Sequence, residues 1–159
     1  MDHDKRLRQQ LSKMIDWSEA HADLSAAVSG FPPELRGRVP QGLPYSAWQL
    51  LEHLRIALWD IVEFSRDARH QSPAWPEGYW PKKAAPSSEQ AWDESIVSIQ
   101  ENLATMRKLI DDPRHDLFAP LPHGSGQTLL REVLLAADHN AYHLGQLVLV
   151  RKALGAWQS

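Results

Sequence analysis

Apolar residues recur at intervals of three and four along most of the chain, which is the spacing of one face of an α-helix. No segment alternates apolar and polar residues as a half-buried strand does. Three long connections rich in proline and glycine separate the helical segments: "GFPPELRGRVPQGLP", "RHQSPAWPEGYWPKKAAP" and "DDPRHDLFAPLPHGSG". The pattern therefore predicts four helices.

The first and last helices are bounded by glycines that suit a left-handed C-terminal stop. Helix 1 is predicted over residues 4–29, followed by Gly30, and its inward face carries Leu7, Leu11, Met14 and Ser18. The fourth helix is predicted to begin near residue 128 and to end at residue 154, before Gly155.

The two middle helices each begin with a serine followed three residues later by glutamine, which is the spacing of a capping box. Ser46 and Gln49 form this pair at the start of helix 2, in "YSAWQL". Ser87 and Gln90 form it at the start of helix 3, in "PSSEQAW", and helix 3 is expected to end before proline 113.

Four helices of this length fit one all-α domain over residues 1–159. The simplest packing is a four-helix bundle, and the interior of such a bundle is a usual place for a metal site. The connections are longer than ordinary helix–helix loops, so we expect them to cross over or cover one end of the bundle.

The composition narrows the class of protein. The 159 residues are 43% hydrophobic and 23% charged, with a formal charge of −3, and no block of Lys or Arg suggests a nucleic-acid or membrane partner. "MDHDKRLRQQ" lacks the apolar core of a secretory signal, so a cytoplasmic location is expected. The sequence contains no cysteine, so any metal ligands must supply nitrogen or oxygen.

Two histidines stand four residues apart in "DHNAYHLGQL". At 3.6 residues per turn, His139 and His143 point the same way and can reach one ion. The alternative is a pair of core histidines hydrogen-bonded to backbone or hydroxyl groups. Asn140 stands where a zincin peptidase carries its general-base glutamate, which argues against peptidase chemistry of that kind.

His53 strengthens the metal interpretation. It lies in "WQLLEHLRIALWD", on the inward side of helix 2. If helix 2 packs near the fourth helix, His53 approaches the pair. Three imidazoles with further positions left to water or substrate are typical of an open, catalytic type of metal site.

With "LLEHLRIALWD" and "TLLREVLLAADHNAYHLGQLVLVRKALGAW" in this helix order, the chain resembles the DinB-like, or YfiT-like, superfamily of bacterial four-helix-bundle proteins. The resemblance covers roughly residues 11–157. It implies a divalent metal held by His53, His139 and His143, with zinc or nickel suited to imidazole ligands. It also implies a possible homodimer.

Several further residues are candidates for the pocket or for contacts around the ligands. His21 falls on the predicted inward face of helix 1, as a hydrogen-bonded core residue or as a pocket residue. Asp138 is a candidate for orienting an imidazole. Residues near the pair or in the aromatic loop "WPEGYWP" are candidates for contact with a ligand, namely Tyr142, Gln146 and Trp80. That loop either caps a pocket or seals one end of the bundle. The histidines in loops, among them His70, are expected to be exposed.

The site suggests a metal-dependent enzyme acting on a small molecule. One reaction is hydrolysis; the other, implied by relatives in the superfamily, is S-transfer with a low-molecular-weight thiol. The alternative is a stress-associated protein that binds a metal or small molecule without turnover. No residue stands out as a general base, so the catalytic residues are left unassigned.

Overall fold

The structure, a computed structural model, describes residues 3–16 and 19–157. Within these residues it contains five α-helices and two short 3₁₀ turns, at Pro33–Leu35 and Glu77–Tyr79, and no strand beyond one isolated bridge. The helices are α1 (His3–Met14), α2 (Leu24–Val28), α3 (Ala47–Arg66), α4 (Glu89–Asp111) and α5 (Leu129–Ala153). The prediction of an all-α bundle is confirmed, although the number of helices is not four.

Helix α3 lies at the centre of the bundle, packed against both α4 and α5. Helix α1 packs mainly on α4, and α2 packs on α5. The interior is formed by large apolar side chains that are almost completely buried, including Trp92, Phe31, Met106 and Leu147. This packing brings the middle of α3 beside the middle of α5, and it therefore decides which histidines can meet.

The prediction of one continuous helix over residues 4–29 is wrong. Helix α1 ends at Met14, and a separate helix begins after Asp23, whose side chain accepts a hydrogen bond from the amide of Ala26 as an N-cap. A continuous helix would turn polar His21 toward the core, and burial of a polar group without a partner is costly. The predicted face residue Ser18 lies outside the described residues.

Two buried arginines secure the ends of the helices. Arg151 on α5 donates to the carbonyls of Ala26, Ala27 and Ser29, which holds the last turn of α2 against α5. Arg8 on α1 donates in the same way to carbonyl groups at the end of α4. Both contacts satisfy carbonyls that have no partner within their own helix.

Of the two capping boxes predicted from the sequence, the first is confirmed and the second is not. Ser46 and Gln49 form the capping box of α3, and Thr128 caps α5, which is followed by Gly155 at φ 70°. In α4 the capping residue is Ser88 rather than Ser87: its side chain accepts from the amide of Ala91. None of the helices in the described segments combines the length and apolar character that crossing a membrane requires.

Candidate metal centre

Three histidines meet where α3 packs against α5. His53 is 2% exposed on α3, and His139 and His143 lie one turn apart on α5. The Nε2 atom of His53 lies 3.1 Å from the Nε2 atoms of both His139 and His143. Among the residues described, these three form a group whose ligand atoms all lie within 4.8 Å of one another. The packing of α3 on α5 thus brings together the three histidines that the sequence singles out.

Two of the rings are held so that Nε2 carries the lone pair. Nδ1 of His53 lies 2.9 Å from the carbonyl oxygen of Tyr79, and Nδ1 of His143 lies 2.7 Å from Oε1 of Gln146. Because these oxygens only accept, each Nδ1 carries the proton and donates it. A hydrogen bond of this kind fixes the tautomer and the orientation of a ligating imidazole.

The arrangement leaves polar atoms unsatisfied in a way that a cation would correct. The lone pairs on Nε2 of His53 and His143 face each other at 3.1 Å with no proton to share. Two nitrogens each about 2.05 Å from one ion are this far apart at an angle of about 100°, close to the angles of common metal sites. The three residues therefore fit a metal ion.

The electrostatic surroundings keep the imidazoles neutral, which is the form that binds metals. Burial is the main cause that lowers the pKa of His53, His139 and His143 below the ordinary value. For His139 burial, followed by the charges of its two neighbours, lowers the pKa to about 4. A protonated imidazole at one of the three positions would also repel a positive charge on either of the other two.

Aromatic rings enclose one side of the group. The indole of Trp80 stacks on the ring of His53, with centroids 3.9 Å apart and planes 5° apart. Tyr45 stacks on Trp80 from behind at 4.2 Å. Tyr142 contacts His143 edge-on and is 64% exposed, so it borders the group on the solvent side. The aromatic loop thus lies against the histidine group through Trp80.

The other predicted site residues are placed differently. Gln146 contacts His143 directly, as described above, whereas Asp138 is exposed and makes no hydrogen bond to an imidazole in the part of the chain described. His21 is exposed rather than buried in the core. It borders a separate apolar cavity of about 60 Å³, lined by residues such as Leu54 and Leu144 and not by the three histidines. The structure does not bring His21 or Asp138 to the group.

Sequence reasoning missed a second polar cluster beside the group. Asp60 on α3 accepts hydrogen bonds from the hydroxyl of Tyr79 at 2.6 Å and from Nε2 of His70 at 2.7 Å. The expectation that His70 is exposed is wrong, because its side chain is only 8% exposed. A signal was present: Asp60 follows His53 by seven residues, hence on the same helix face, in an otherwise apolar run.

The chain was compared with known proteins. A family model described as the DinB superfamily matches residues 16–147, which is more than four-fifths of the chain and includes all three histidines. The comparisons with curated proteins and with solved structures gave no match.

Proposed function

The chain belongs to the DinB superfamily, and from this membership and the converging imidazoles we propose that it binds one divalent metal ion through His53, His139 and His143. The observation that carries the proposal is the approach of the three Nε2 atoms, with two of the rings oriented by hydrogen bonds at Nδ1. Three neutral nitrogen donors favour zinc or nickel over magnesium or calcium, which prefer oxygen ligands.

We propose further that the site acts on a small molecule. When bound, a divalent ion held by three neutral imidazoles keeps its double charge and supplies Lewis-acid activation. The chain itself contributes the fixed rings of the ligands, the aromatic cover of Trp80 over His53, and Tyr142 at the exposed border, where a small molecule would make contact. These contributions of the ion and of the chain suit a metal-dependent enzyme with an open site.

Two reactions fit these groups, hydrolysis and thiol S-transfer. For S-transfer, a low-molecular-weight thiol must come from outside, because the chain has no cysteine. No carboxylate hydrogen-bonds to the three imidazoles within the described segments: Glu52, for example, accepts instead from Arg55 and Ser95. The same observation favours the second candidate, a protein that binds a metal or small molecule without turnover, since it leaves no evident general base.

Titration of metal-free, untagged protein with zinc and with nickel tests the metal proposal. We expect one ion per chain and a large loss of affinity in His53→Ala, because a ligand is removed. His21→Ala is the matched control, since it removes an exposed imidazole that does not belong to the group of three. Equal affinity in the wild type and His53→Ala would contradict the proposal.

A second experiment separates the reactions. The metal-loaded protein is incubated with small electrophiles and esters, with and without a low-molecular-weight thiol, and products are identified by mass spectrometry. An S-transferase gives product only when the thiol is present, whereas a hydrolase gives the same product in its absence. Binding without product in either condition favours the non-catalytic candidate.

A further inference from the structure

A partly buried chain of hydrogen bonds fastens the loop between α3 and α4 onto α3, beside the histidine group. Asp60 is 9% exposed, and both of its carboxylate oxygens are used, one by the Tyr79 hydroxyl and one by His70. A carboxylate that accepts two short hydrogen bonds in this way holds both donors in a defined geometry. The loop is therefore anchored at this point with more than packing alone.

Tyr79 contacts α3 twice, through different groups. Its hydroxyl donates to Asp60, while its backbone carbonyl accepts the Nδ1 proton of His53. His53 and Asp60 lie seven residues apart on one face of α3, so their Cα atoms are separated by about 10 Å along the axis. A single tyrosine, reaching from phenol to carbonyl, bridges this span.

The next residue adds a third contact to the same helix. Trp80 stacks flat on the His53 ring, so the plane of the imidazole is held by the indole while its Nδ1 is held by the Tyr79 carbonyl. The direction of the remaining nitrogen, Nε2, then has little freedom. That nitrogen is the one that faces His139 and His143.

We infer that Asp60 and Tyr79 are positioning residues for His53: Asp60 holds the Tyr79 phenol, and Tyr79 in turn holds the His53 ring with Nε2 directed toward the ion. This inference rests on the proposed function, because it concerns the affinity of that metal site. Neither Asp60 nor the Tyr79 hydroxyl belongs to the group of side chains that could hold the ion.

The Tyr79 phenol remains a hydrogen-bond donor at neutral pH. Burial, together with the hydrogen bond to Asp60, raises the pKa of Tyr79 to about 12, so the phenol keeps the proton that it donates. A loop that only sealed the bundle could be fastened through any residue. Here the fastened residue is also the one that supplies the acceptor for His53.

The test is Tyr79→Phe, which removes the hydroxyl and keeps the ring and the carbonyl. We expect the zinc dissociation constant, measured by chelator competition, to rise by about threefold to tenfold, less than the effect of deleting the partner of a ligand outright. Asp60→Asn keeps an acceptor oxygen and should lose less affinity than Asp60→Ala. Ser65→Ala is the control, because it removes another buried hydroxyl bond on α3, to the carbonyl of Ile61, and should leave zinc affinity unchanged.

A second measurement uses the metal-free protein. The protonated Nδ1 of His53 is detected by long-range proton–nitrogen NMR, and the indole NH of Trp80 reports on the stack. In Tyr79→Phe both signals should shift or broaden, whereas in Ser65→Ala both should stay as in the wild type. A purely structural fastening would lower stability in Tyr79→Phe without changing the tautomer of His53.

The outcomes separate this inference from the proposed function. Wild-type zinc binding with unchanged affinity in Tyr79→Phe overturns the positioning role and leaves the metal site standing. If the wild type binds neither zinc nor nickel, the proposed function fails. The NMR measurement then shows whether Asp60 and Tyr79 position the His53 ring. Altered His53 and Trp80 signals in Tyr79→Phe support this positioning role, and unaltered signals overturn it.

Discussion

The hydrogen bond between His143 and Gln146 offers the sharpest test of how the chain prepares its ligands. Nδ1 of His143 donates to Oε1 of Gln146 at 2.7 Å, and His143 is only 9% exposed. Gln146→Leu removes the acceptor but keeps a side chain of similar length. Since water has poor access to the ring, the buried N–H would lose its partner, at a cost of about 1–3 kcal/mol.

Part of this cost appears in metal binding. Without an acceptor at Nδ1 the imidazole is free to rotate or to carry its proton on Nε2, and either change removes the lone pair that a metal needs. We expect the zinc dissociation constant to rise about tenfold, which corresponds to about 1.4 kcal/mol and lies at the lower end of the range for partners of metal ligands. Gln146→Glu provides a charged acceptor, so it should bind zinc at least as tightly as the wild type.

The assay is chelator competition with zinc, accompanied by urea denaturation of each metal-free variant. Gln90→Leu is the matched control, because Gln90 is exposed on α4 and its side-chain amide donates to Glu94, away from the histidines. Wild-type zinc affinity in Gln146→Leu would refute the reasoning. So would a Gln146→Glu variant that binds more weakly than Gln146→Leu, since that order cannot arise from the strength of the acceptor.

Two further predictions concern the metal-free protein. Trp80→Ala removes a ring stacked between His53 and Tyr45. It should lower the free energy of unfolding, measured by urea denaturation, by about 2–4 kcal/mol, which is less than the loss of a fully buried tryptophan would cost. A change near zero would mean that these stacking contacts do not stabilise the fold. Stability should also fall as the pH drops from about 7 toward 4.5. Burial lowers the pKa of His139 to about 4, below its value of about 6.5 in the unfolded chain, so in that interval the unfolded chain binds more protons and is favoured by acid. The measurement is chelator-treated protein denatured at several pH values, and His139→Ala should show a weaker dependence; a flat profile in the wild type would contradict the pKa assignment.

Local signals in the sequence were sufficient for the helices that carry the site. The four-residue spacing of His139 and His143 fixes their common direction once α5 is helical, and the capping box at Ser46 locates the start of α3 within one residue. The approach of His53 to the pair needed one further assumption, the packing of α3 on α5. The bundle architecture made that assumption reasonable.

Features that depend on the three-dimensional surroundings could not be predicted from local signals in the sequence. In "PSSEQAW" either serine can cap a helix, and the structure uses Ser88 although Ser87 completes the sequence pattern. The position of α2 depends partly on Arg151, which lies more than 120 residues further along the chain and binds the C-terminal end of that helix. The loop residue Tyr79 acquires its role only because Asp60 and His53 are both within its reach.

The measurement that tests the central claim most directly is the metal content of untagged protein as purified, compared with His139→Ala. We predict close to one divalent ion per chain in the wild type, with zinc or nickel dominant, and little in the variant. The same comparison with His123→Ala controls for the loss of a histidine, because His123 bonds the carbonyl of Phe64 and takes no part in the group. Equal metal content in the wild type and His139→Ala, or no metal in the wild type even after incubation with zinc and nickel, would contradict the account.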